Sequence, residues 1–437
     1  MKKRFAKYIA ILTLVPVLFL TGCGQNPIFE FDIMNELLGA FEEPSSHTTP
    51  EIPEDYVKPE LPAHMNEAYI HFSIELFKRS LTSGENSLIS PASAEFALTM
   101  AAMGASGSTQ DEMLTVLCPG YTLEDLTSYA GNLSDSLTYS NMSSFHIANS
   151  MWTNEAILGD CLNETYADTL KEEMNAEATM LPFNDRAVKE INNWVEDNTN
   201  GMIPTLLQDI SPEAAMYLIN AMAFEAEWSD QYSEYQIHDE IFTNAAGVEE
   251  NARMLRETGR FYLENDDATG FIKFYEGGEY AFLAMLPNEE GAIEDFVANM
   301  TTEDYMTFWS SMTRDYDVRT ALPCFSYSYD TLMNDALIDM GMTTAFSEGA
   351  ADFSPMVTDE NVDLYINRVI HKTFIELDEN GTKAAAVTAI EMYTESAMIE
   401  DPREVKEVIL DRPFVYAIVE ASSGLPIFIG TVNSVAE

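Results

Sequence analysis

The segment ENGTKAAAVTA at residues 379–389 most constrains what this chain can fold into. It follows an apolar run with strand character at residues 369–377, and strand character resumes only at Val405. Small side chains offer little apolar area to bury, so the segment makes a poor core element. The same side chains suit a segment that must enter a narrow slot.

From Thr382 onward the sequence alternates with a period of two, which is typical of a strand with one buried face. The first face carries no charge and consists of Thr382, Ala384, Ala386, Thr388, Ile390, Met392 and Thr394. The opposite face carries three charges, Lys383, Glu391 and Glu395. We therefore predict a chain that begins as a loop and can become a strand. An Ala-rich helix is the alternative, because Ala is the best helix former, and the local sequence leaves both open.

The N-terminal segment at residues 1–22 has the organisation of an export signal. Four basic residues open it, and an apolar run at residues 8–20 follows that is too short to span a bilayer comfortably. The sequence LTGC at residues 20–23 resembles a bacterial lipobox, and this resemblance implies cleavage before Cys23 and a diacylglycerol group on its sulfur. We expect an extracytoplasmic protein anchored to the bacterial cell membrane by that lipid. An ordinary secreted protein is the alternative.

Residues 23–62 are predicted to form a flexible tether behind the lipidated cysteine. Six prolines and short Ser and Thr pairs lie between acidic residues, and such a composition buries too little surface to offset the entropy of ordering. Residues 63–437 contain no second linker, so we expect one large domain or two closely packed lobes there.

Composition limits the partners and the chemistry. The chain has 22 basic and 73 acidic residues, a net charge of −51, and so acidic a surface repels nucleic acid and bare anionic membrane. None of its six histidines forms an HExxH pair, and no Gly-rich loop ends in Gly-Lys-Ser/Thr. Cys118, Cys161 and Cys324 have the spacing of neither a disulfide framework nor a zinc site. We therefore predict no catalytic residue, metal or cofactor.

A series of motifs resembles the serpin family. The series begins with NSLISPASAEFALTMAAMGASGSTQDEM at 86–113 and continues with ANSMW at 148–152, INNWV at 191–195, NAMAFEAEW at 220–228, RPF at 412–414 and FIG at 428–430. These motifs follow the family's order and cover essentially all of residues 63–437. The resemblance implies an α+β serpin fold, with about nine helices around three β-sheets and an exposed reactive-centre loop. We also expect a monomer.

The resemblance further implies a suicide-substrate inhibitor of serine proteases rather than an enzyme. In this family a protease attacks the exposed loop and forms an acyl-enzyme, and the cleaved loop then enters the main sheet as a new strand. Side chains that enter the sheet must be small or uncharged, because burying an unpaired charge costs several kcal/mol. The 14 residues from Thr382 to Glu395 extend to about 46 Å, enough to cross a domain.

The resemblance assigns roles to residues of this chain. The hinge comprises Glu379, Gly381, Thr382, Ala384, Ala385 and Ala386. The shutter beneath the middle of the sheet comprises Ser90, Ser93, Asn220 and His371, and a buried His371–Asn220 pair between two strands would act as a latch. At the end of the sheet where insertion begins, called the breach, the matching residue is Trp228.

Counting from Gly381 in the family's manner puts the reactive bond between Glu395 and Ser396. The alternatives are Tyr393, Thr394, Ala397 and Met398. A Glu-specific, elastase-like or subtilisin-like target is therefore expected rather than a trypsin-like one, because residues 388–400 contain neither Lys nor Arg.

The sequence departs from the family pattern in three places. Lys383 stands where Glu is common, but on the outward face. The family often pairs the residue at Glu379 with a Lys that follows a Leu-Pro sequence, and here that position is Cys324, so we expect this salt bridge to be missing and the base of the loop to be looser. The stretch at residues 396–412 is longer than usual, which leaves the exact reactive bond open.

Other functional classes remain as alternatives. A non-inhibitory serpin that acts as a binding or scaffold lipoprotein predicts bulky, charged or proline residues on the inserting face, and the sequence has none there. A lipid-anchored solute-binding protein predicts a two-lobe βαβ rhythm, which the motif series contradicts. A hydrolase would need a catalytic constellation, and no spacing singles one out.

Overall fold

The computed structural model describes residues 56–140, 143–174, 176–289, 291, 293–359, 361–382 and 403–436. Ten α-helices lie within them: α1 (Ala63–Arg79), α2 (Pro91–Met103), α3 (Gly107–Leu117), α4 (Leu123–Thr138), α5 (Glu155–Leu158), α6 (Glu164–Met174), α7 (Asp185–Asn198), α8 (Ile293–Asn299), α9 (Thr302–Ser310) and α10 (Asn334–Asp339). Within the described ranges, no helix is both long enough and apolar enough to cross a membrane.

Within the same described ranges, sixteen strands form three sheets. The strands are β1 (Ser87–Ile89), β2 (Ser144–Asn154), β3 (Glu177–Leu181), β4 (Met216–Glu227), β5 (Ile237–Thr243), β6 (Glu249–Gly259), β7 (Tyr262–Glu264), β8 (Ala268–Phe274), β9 (Tyr280–Pro287), β10 (Asp317–Pro323), β11 (Phe325–Leu332), β12 (Ile370–Leu377), β13 (Gly381–Thr382), β14 (Val405–Ile409), β15 (Phe414–Glu420) and β16 (Pro426–Val432). The main sheet has the order β11-β12-β13-β4-β2-β3, the core sheet β1-β16-β15-β9-β8-β7, and the small sheet β14-β10-β6-β5. This is the α+β architecture with three sheets that the sequence predicts.

The core sheet is the most deeply buried part of the molecule. Strands β9, β15 and β16 are buried at every residue, as expected of near-continuous apolar runs with protein on both faces. Helix α2 is buried at all but one position. It begins with Ser90 as N-cap, whose side chain accepts a hydrogen bond from the Ser93 amide, and with Pro91 in its first turn, both favourable at a helix start.

The main sheet is covered on part of one face by α7. The apolar side of this helix, including Ile191 and Val195, packs with Tyr217, Ile219 and Trp152 of the sheet in a separate apolar cluster. Burial of this face stabilises the helix on the sheet. The helix therefore lies over β2 and β4, and β4 borders the position that an additional strand would take.

One strand of the main sheet is described at its first two residues. Strand β13 has two residues and pairs antiparallel with both neighbours: Thr382 lies opposite Leu377 of β12 and Ala226 of β4, and Gly381 lies opposite Glu227 of β4. The main sheet is thus parted at this end by the first two residues of a further strand.

Candidate functional site

The chain reverses direction between β12 and β13 in a tight turn at residues 378–381. The Asp378 Oδ1 accepts hydrogen bonds from the amides of Asn380 at 2.7 Å and Gly381 at 3.2 Å. The Asp378 amide in turn donates to the Gly381 carbonyl at 3.0 Å. An Asp side chain that bonds backbone amides two and three residues on is a common turn device. The turn directs the following residues into the space between β12 and β4.

Gly381 is required by the close approach of two strands. A Cβ atom at this position would lie 2.1 Å from the Ala226 carbonyl oxygen and 2.8 Å from the Glu227 Cα. Both are backbone atoms that cannot move aside without disturbing β4. Only glycine allows the backbone to come this near. Any larger residue at position 381 would therefore push β13 out of the sheet.

Thr382 is the first side chain that points into the protein after the turn. It is buried, and its Oγ1 shares a 2.7 Å hydrogen bond with the Tyr275 hydroxyl. Tyr275 follows β8 directly, so this bond joins β13 to the core sheet. Burial raises the pKa of the Tyr275 hydroxyl, and either hydroxyl can donate this hydrogen bond.

Trp228 binds the turn directly at the end of β4. Its amide donates to the Asn380 carbonyl at 2.8 Å, and its Nε1 donates to the Asp378 carbonyl at 2.9 Å. The indole stacks on the Tyr275 ring with centroids 4.6 Å apart and planes 10° apart. The Tyr232 amide donates to the Glu379 carbonyl at 3.0 Å. Residues at the end of β4 therefore hold three successive carbonyls of the turn.

A buried lysine lies against the Trp228 ring. The Lys273 side chain is 4% exposed, and its Nζ donates to the Glu257 carboxylate at 2.8 Å and to the Asp230 carbonyl at 2.9 Å. The Nζ also lies 5.5 Å from the Trp228 ring centroid and 4.1 Å from that of Tyr232, within range of cation–π attraction. Burial lowers the pKa of Lys273, while Glu257 favours its charged form. Lys273 is not among the residues predicted from the sequence, although a lone Lys inside the apolar stretch GFIKF is a usable signal.

The salt bridge between Glu379 and position 324 is missing, as expected, but Glu379 has another basic partner. Position 324 carries no cation, as predicted, but the Glu379 carboxylate accepts a hydrogen bond from the Arg253 Nη2 at 3.0 Å. Arg253 lies on β6 of the small sheet, 126 residues away in sequence. The ion pair at the base of the loop is therefore present, with a partner from a different sheet.

The shutter residues lie where β12 passes over the start of α2. The His371 side chain is buried, and its Nε2 accepts a hydrogen bond from the Ser90 amide at 3.0 Å. The Ser90 Oγ bonds the Ile427 carbonyl at 2.9 Å and the Ser93 amide at 3.2 Å. Burial lowers the pKa of His371 to about 3. An imidazole that accepts a bond from an amide must be neutral at that nitrogen, so geometry and burial agree.

Asn220 lies on β4, where its backbone is paired with Asn149 of β2. Its side chain is outside the described part of the structure, so the predicted His371–Asn220 latch stays a prediction. A second polar bond at the shutter is described: the Thr373 Oγ1 donates to the Leu88 carbonyl at 2.8 Å. It ties β12 to β1.

Several predicted site residues lie outside the described residues. They are Cys23, the hinge residues Ala384, Ala385 and Ala386, and the reactive-bond candidates Tyr393, Thr394, Glu395, Ser396, Ala397 and Met398. Cys118, Cys161 and Cys324 are free thiols. In the part of the chain that the structure describes, no three His, Cys, Asp or Glu side chains are grouped so as to hold a metal ion.

Comparison with known proteins gives one consistent result. The family model "Serpin (serine protease inhibitor)" matches residues 67–435. An uncharacterized serpin-like protein of Thermococcus kodakarensis is 33% identical over 431 residues, which covers 96% of this chain and 97% of that protein.

Solved structures agree with this assignment. The thermophilic serpin tengpin in its native state superposes with a TM-score of 0.80 at 37% identity, covering 87% of this chain and 96% of its own. Human thyroxine-binding globulin superposes with a TM-score of 0.75 at 25% identity, covering 86% of this chain and all of its own. The predicted serpin fold is thereby confirmed. The chain belongs to the serpin family, whose members are in general protease inhibitors rather than enzymes.

Proposed function

We propose that this protein inhibits serine proteases by the suicide-substrate mechanism. The observation that carries the proposal is β13: two residues at the base of the loop already occupy the main sheet between β12 and β4. A scaffold that only displays a loop has no need for a sheet that is parted at the loop's base. The small residues that follow in sequence suit continued entry into the same slot.

In the proposed reaction the protease's serine attacks the carbonyl of Glu395. The bond to Ser396 breaks, the new amine leaves, and Glu395 remains esterified to the enzyme. The strand ahead of it then grows from β13, with each added residue forming hydrogen bonds to β12 and β4. Each bond contributes about 0.5–1.5 kcal/mol net, so a complete central strand supplies a large driving force.

The dimensions of the main sheet fit this transit. Strand β4 has 12 residues, about 40 Å at 3.3 Å per residue. The 14 residues from Thr382 to Glu395 extend to about 46 Å. A fully inserted strand would therefore carry the ester-linked protease from one end of β4 to the other.

Polar contacts of the breach and the shutter act at the two control points of this transit. Trp228, Tyr275 and the turn at residues 378–381 hold the first two residues in place at the breach. His371 and Thr373 tie β12 to α2 and β1 at the shutter. Entry of a strand beyond Thr382 must displace β12 from β4 at the level of His371. The shutter bonds therefore resist insertion until a cleaved loop supplies the driving force.

The target class and the location are also proposals, and both rest on the sequence. The residues around the reactive bond favour a Glu-specific, elastase-like or subtilisin-like protease. The LTGC sequence supports a lipid on Cys23 that holds the protein, as a monomer, on the outer face of a bacterial membrane. Release as a secreted protein is the alternative.

A non-inhibitory serpin is the second candidate function. The observation that favours it is the close superposition on human thyroxine-binding globulin, whose name describes a binding protein. The inserting face argues against it, because residues 382–394 place no charge, proline or bulky aromatic on that face.

The test is a mixture of the mature protein with four serine proteases: Glu-specific, elastase-like, subtilisin-like and chymotrypsin-like. A covalent complex that survives denaturing electrophoresis, with a new N-terminus at Ser396 or within a few residues of it, is the expected result. If each protease that cuts the loop stays active and releases only the cleaved protein, the inhibitor proposal fails in favour of the binding protein.

A further inference from the structure

The ion pair between Glu379 and Arg253 links the turn at residues 378–381 to the small sheet. The carboxylate and the Nη2 are 3.0 Å apart, and the side chains are 28% and 51% exposed. Asp378, on the same turn, is a second negative charge that acts on Arg253. Arg253 therefore faces an acidic turn, not a single carboxylate.

The register of the small sheet explains why Arg253 reaches this turn. Strand β6 pairs antiparallel with β10, with Met254 opposite Pro323. The Cys324 amide continues this ladder by donating to the Arg253 carbonyl at 2.8 Å. Positions 253 and 324 are thus neighbours across two strands. The cation absent from position 324 is supplied from the next strand.

We propose that Arg253 is the positioning residue of the hinge, which keeps β13 in the main sheet by fixing the turn at residues 378–381. The expected effect of Arg253 on inhibition rests on the proposed function, whereas the contact between Arg253 and Glu379 does not. The two described residues of β13 follow the turn directly, so the turn sets where they enter the main sheet. Once the carboxylate is released, the Glu379 and Asn380 carbonyls still accept the amides of Tyr232 and Trp228, and Asn380 still bonds Asp378 within the turn, but the side-chain tie to the small sheet is lost.

Loss of Arg253 lowers the fraction of molecules in which β13 is docked. A partly exposed ion pair contributes up to about 1 kcal/mol. Its loss therefore lowers the equilibrium constant for docking of β13 by about two- to fivefold. Insertion starts from the docked state, so the acyl-enzyme has more time to hydrolyse before transit. The excess of inhibitor consumed over one molecule per protease therefore rises, by at most the same factor.

The variant Arg253→Ala has a matched control in Arg256→Ala. Arg256 lies on the same strand and bonds Glu240 of β5 at 2.6 Å, away from the hinge. The first readout is hydrogen exchange of the Trp228 and Tyr232 amides, which donate to the turn. We expect exchange of both amides to be about two- to fivefold faster in Arg253→Ala and unchanged in Arg256→Ala. Equal exchange in the two variants overturns the inference.

A double-mutant cycle separates the ion pair from other effects of Arg253. Glu379→Gln is expected to accelerate exchange as much as Arg253→Ala, and the double variant no more than either, because both remove the same interaction. Additive effects would mean that Arg253 acts through another group, and the inference fails. Cys324→Lys in the Arg253→Ala background restores a cation beside Glu379, and slow exchange should return.

The second readout is the inhibition stoichiometry with the protease that forms the covalent complex. Arg253→Ala should consume more inhibitor per protease, while Arg256→Ala matches the wild type. If the wild type traps no protease, the proposed function fails, but the exchange experiment still decides the role of Arg253. An unchanged stoichiometry together with faster exchange would refute the effect on insertion while leaving the positioning role.

Discussion

The breach and the shutter hold the same strand, β12, by opposite means. At the breach the contacts are numerous and partly exposed: a capped turn, an ion pair, an indole donor and a two-residue strand. At the shutter they are few, fully buried and neutral, with His371 bonded to Ser90 and Thr373 to Leu88. One end is therefore already open to a new strand, while the middle stays closed until enough free energy is available to part it.

This difference predicts that damage at the two places has different consequences. A change at the breach alters how insertion begins. It should therefore lower the yield of covalent complex even where it changes the free energy of unfolding only slightly. A change at the shutter alters how firmly the main sheet is closed, so it affects the stability of the uninserted state. Variants at the two places should therefore separate trapping from stability.

The largest effect is expected for Trp228→Ala at the breach. The indole is 2% exposed, and removing a buried Trp costs about 3–5 kcal/mol. The free energy of unfolding in urea should fall by that amount and the yield of covalent complex should fall with it. Trp309→Ala, at a partly buried Trp beside Gly424, is the control and should leave the yield unchanged. If Trp228→Ala does not fold, Trp228→Phe keeps an aromatic ring and loses the donor to Asp378 together with part of the buried ring volume. An unaltered complex yield in that variant would contradict the proposed role of the Nε1 bond.

The next effect is a pH dependence that originates at the shutter. Burial lowers the pKa of His371 from 6.5 to about 3, so below pH 6.5 the unfolded chain binds a proton that the folded chain does not. The unfolding free energy therefore falls by up to about 1.4 kcal/mol per pH unit as the pH drops from 6.5 toward 3, and the contribution is complete above pH 6.5. The free energies of unfolding of the wild type and His371→Gln, measured by urea titration, should become more similar as the pH falls. Parallel curves would show that His371 is not held neutral.

Glu95 on α2 provides a control with the opposite sign. It is buried, its Oε2 has no hydrogen-bond partner, and burial raises its pKa to about 8. The contribution of protonated Glu95 to the free energy of unfolding is fully present below pH 4.5 and is lost as the pH rises toward 8. Glu95→Gln should therefore gain stability relative to the wild type as the pH rises from 4.5 to 8. A constant difference over this range would contradict a protonated Glu95.

The smallest effect compares the same substitution at both places. Thr382→Val removes the bond to Tyr275 at the breach, and Thr373→Val removes the bond to Leu88 at the shutter. Each should cost about 1 kcal/mol of unfolding free energy. Only Thr382→Val should raise the inhibition stoichiometry. A rise of equal size in Thr373→Val would remove the distinction between the two regions.

The sequence predicted the fold because the family motifs are numerous and their order is fixed. It also placed Thr382 on an uncharged inward face from alternation alone, and the structure buries that side chain. The Glu379 partner could not be predicted, because it depends on the register of β6 against β10 and on an arginine long enough to cross between sheets. Lys273 could have been suspected from its place in the apolar stretch GFIKF, but its partner Glu257 could not, because that contact depends on the packing of β8 against β6. The reactive bond and the lipidated cysteine stay predictions from the sequence.

Thermal unfolding before and after loop cleavage tests the central claim most directly. A protease that cuts between residues 383 and 402 frees the strand that begins at β13, and the cleaved protein is then compared with the intact one. If the loop enters between β12 and β4, the midpoint of unfolding rises steeply, because a central strand has gained hydrogen bonds along both edges. An unchanged or lower midpoint after complete cleavage would show that the parted end of the main sheet is not the start of a slot, and would contradict the insertion mechanism.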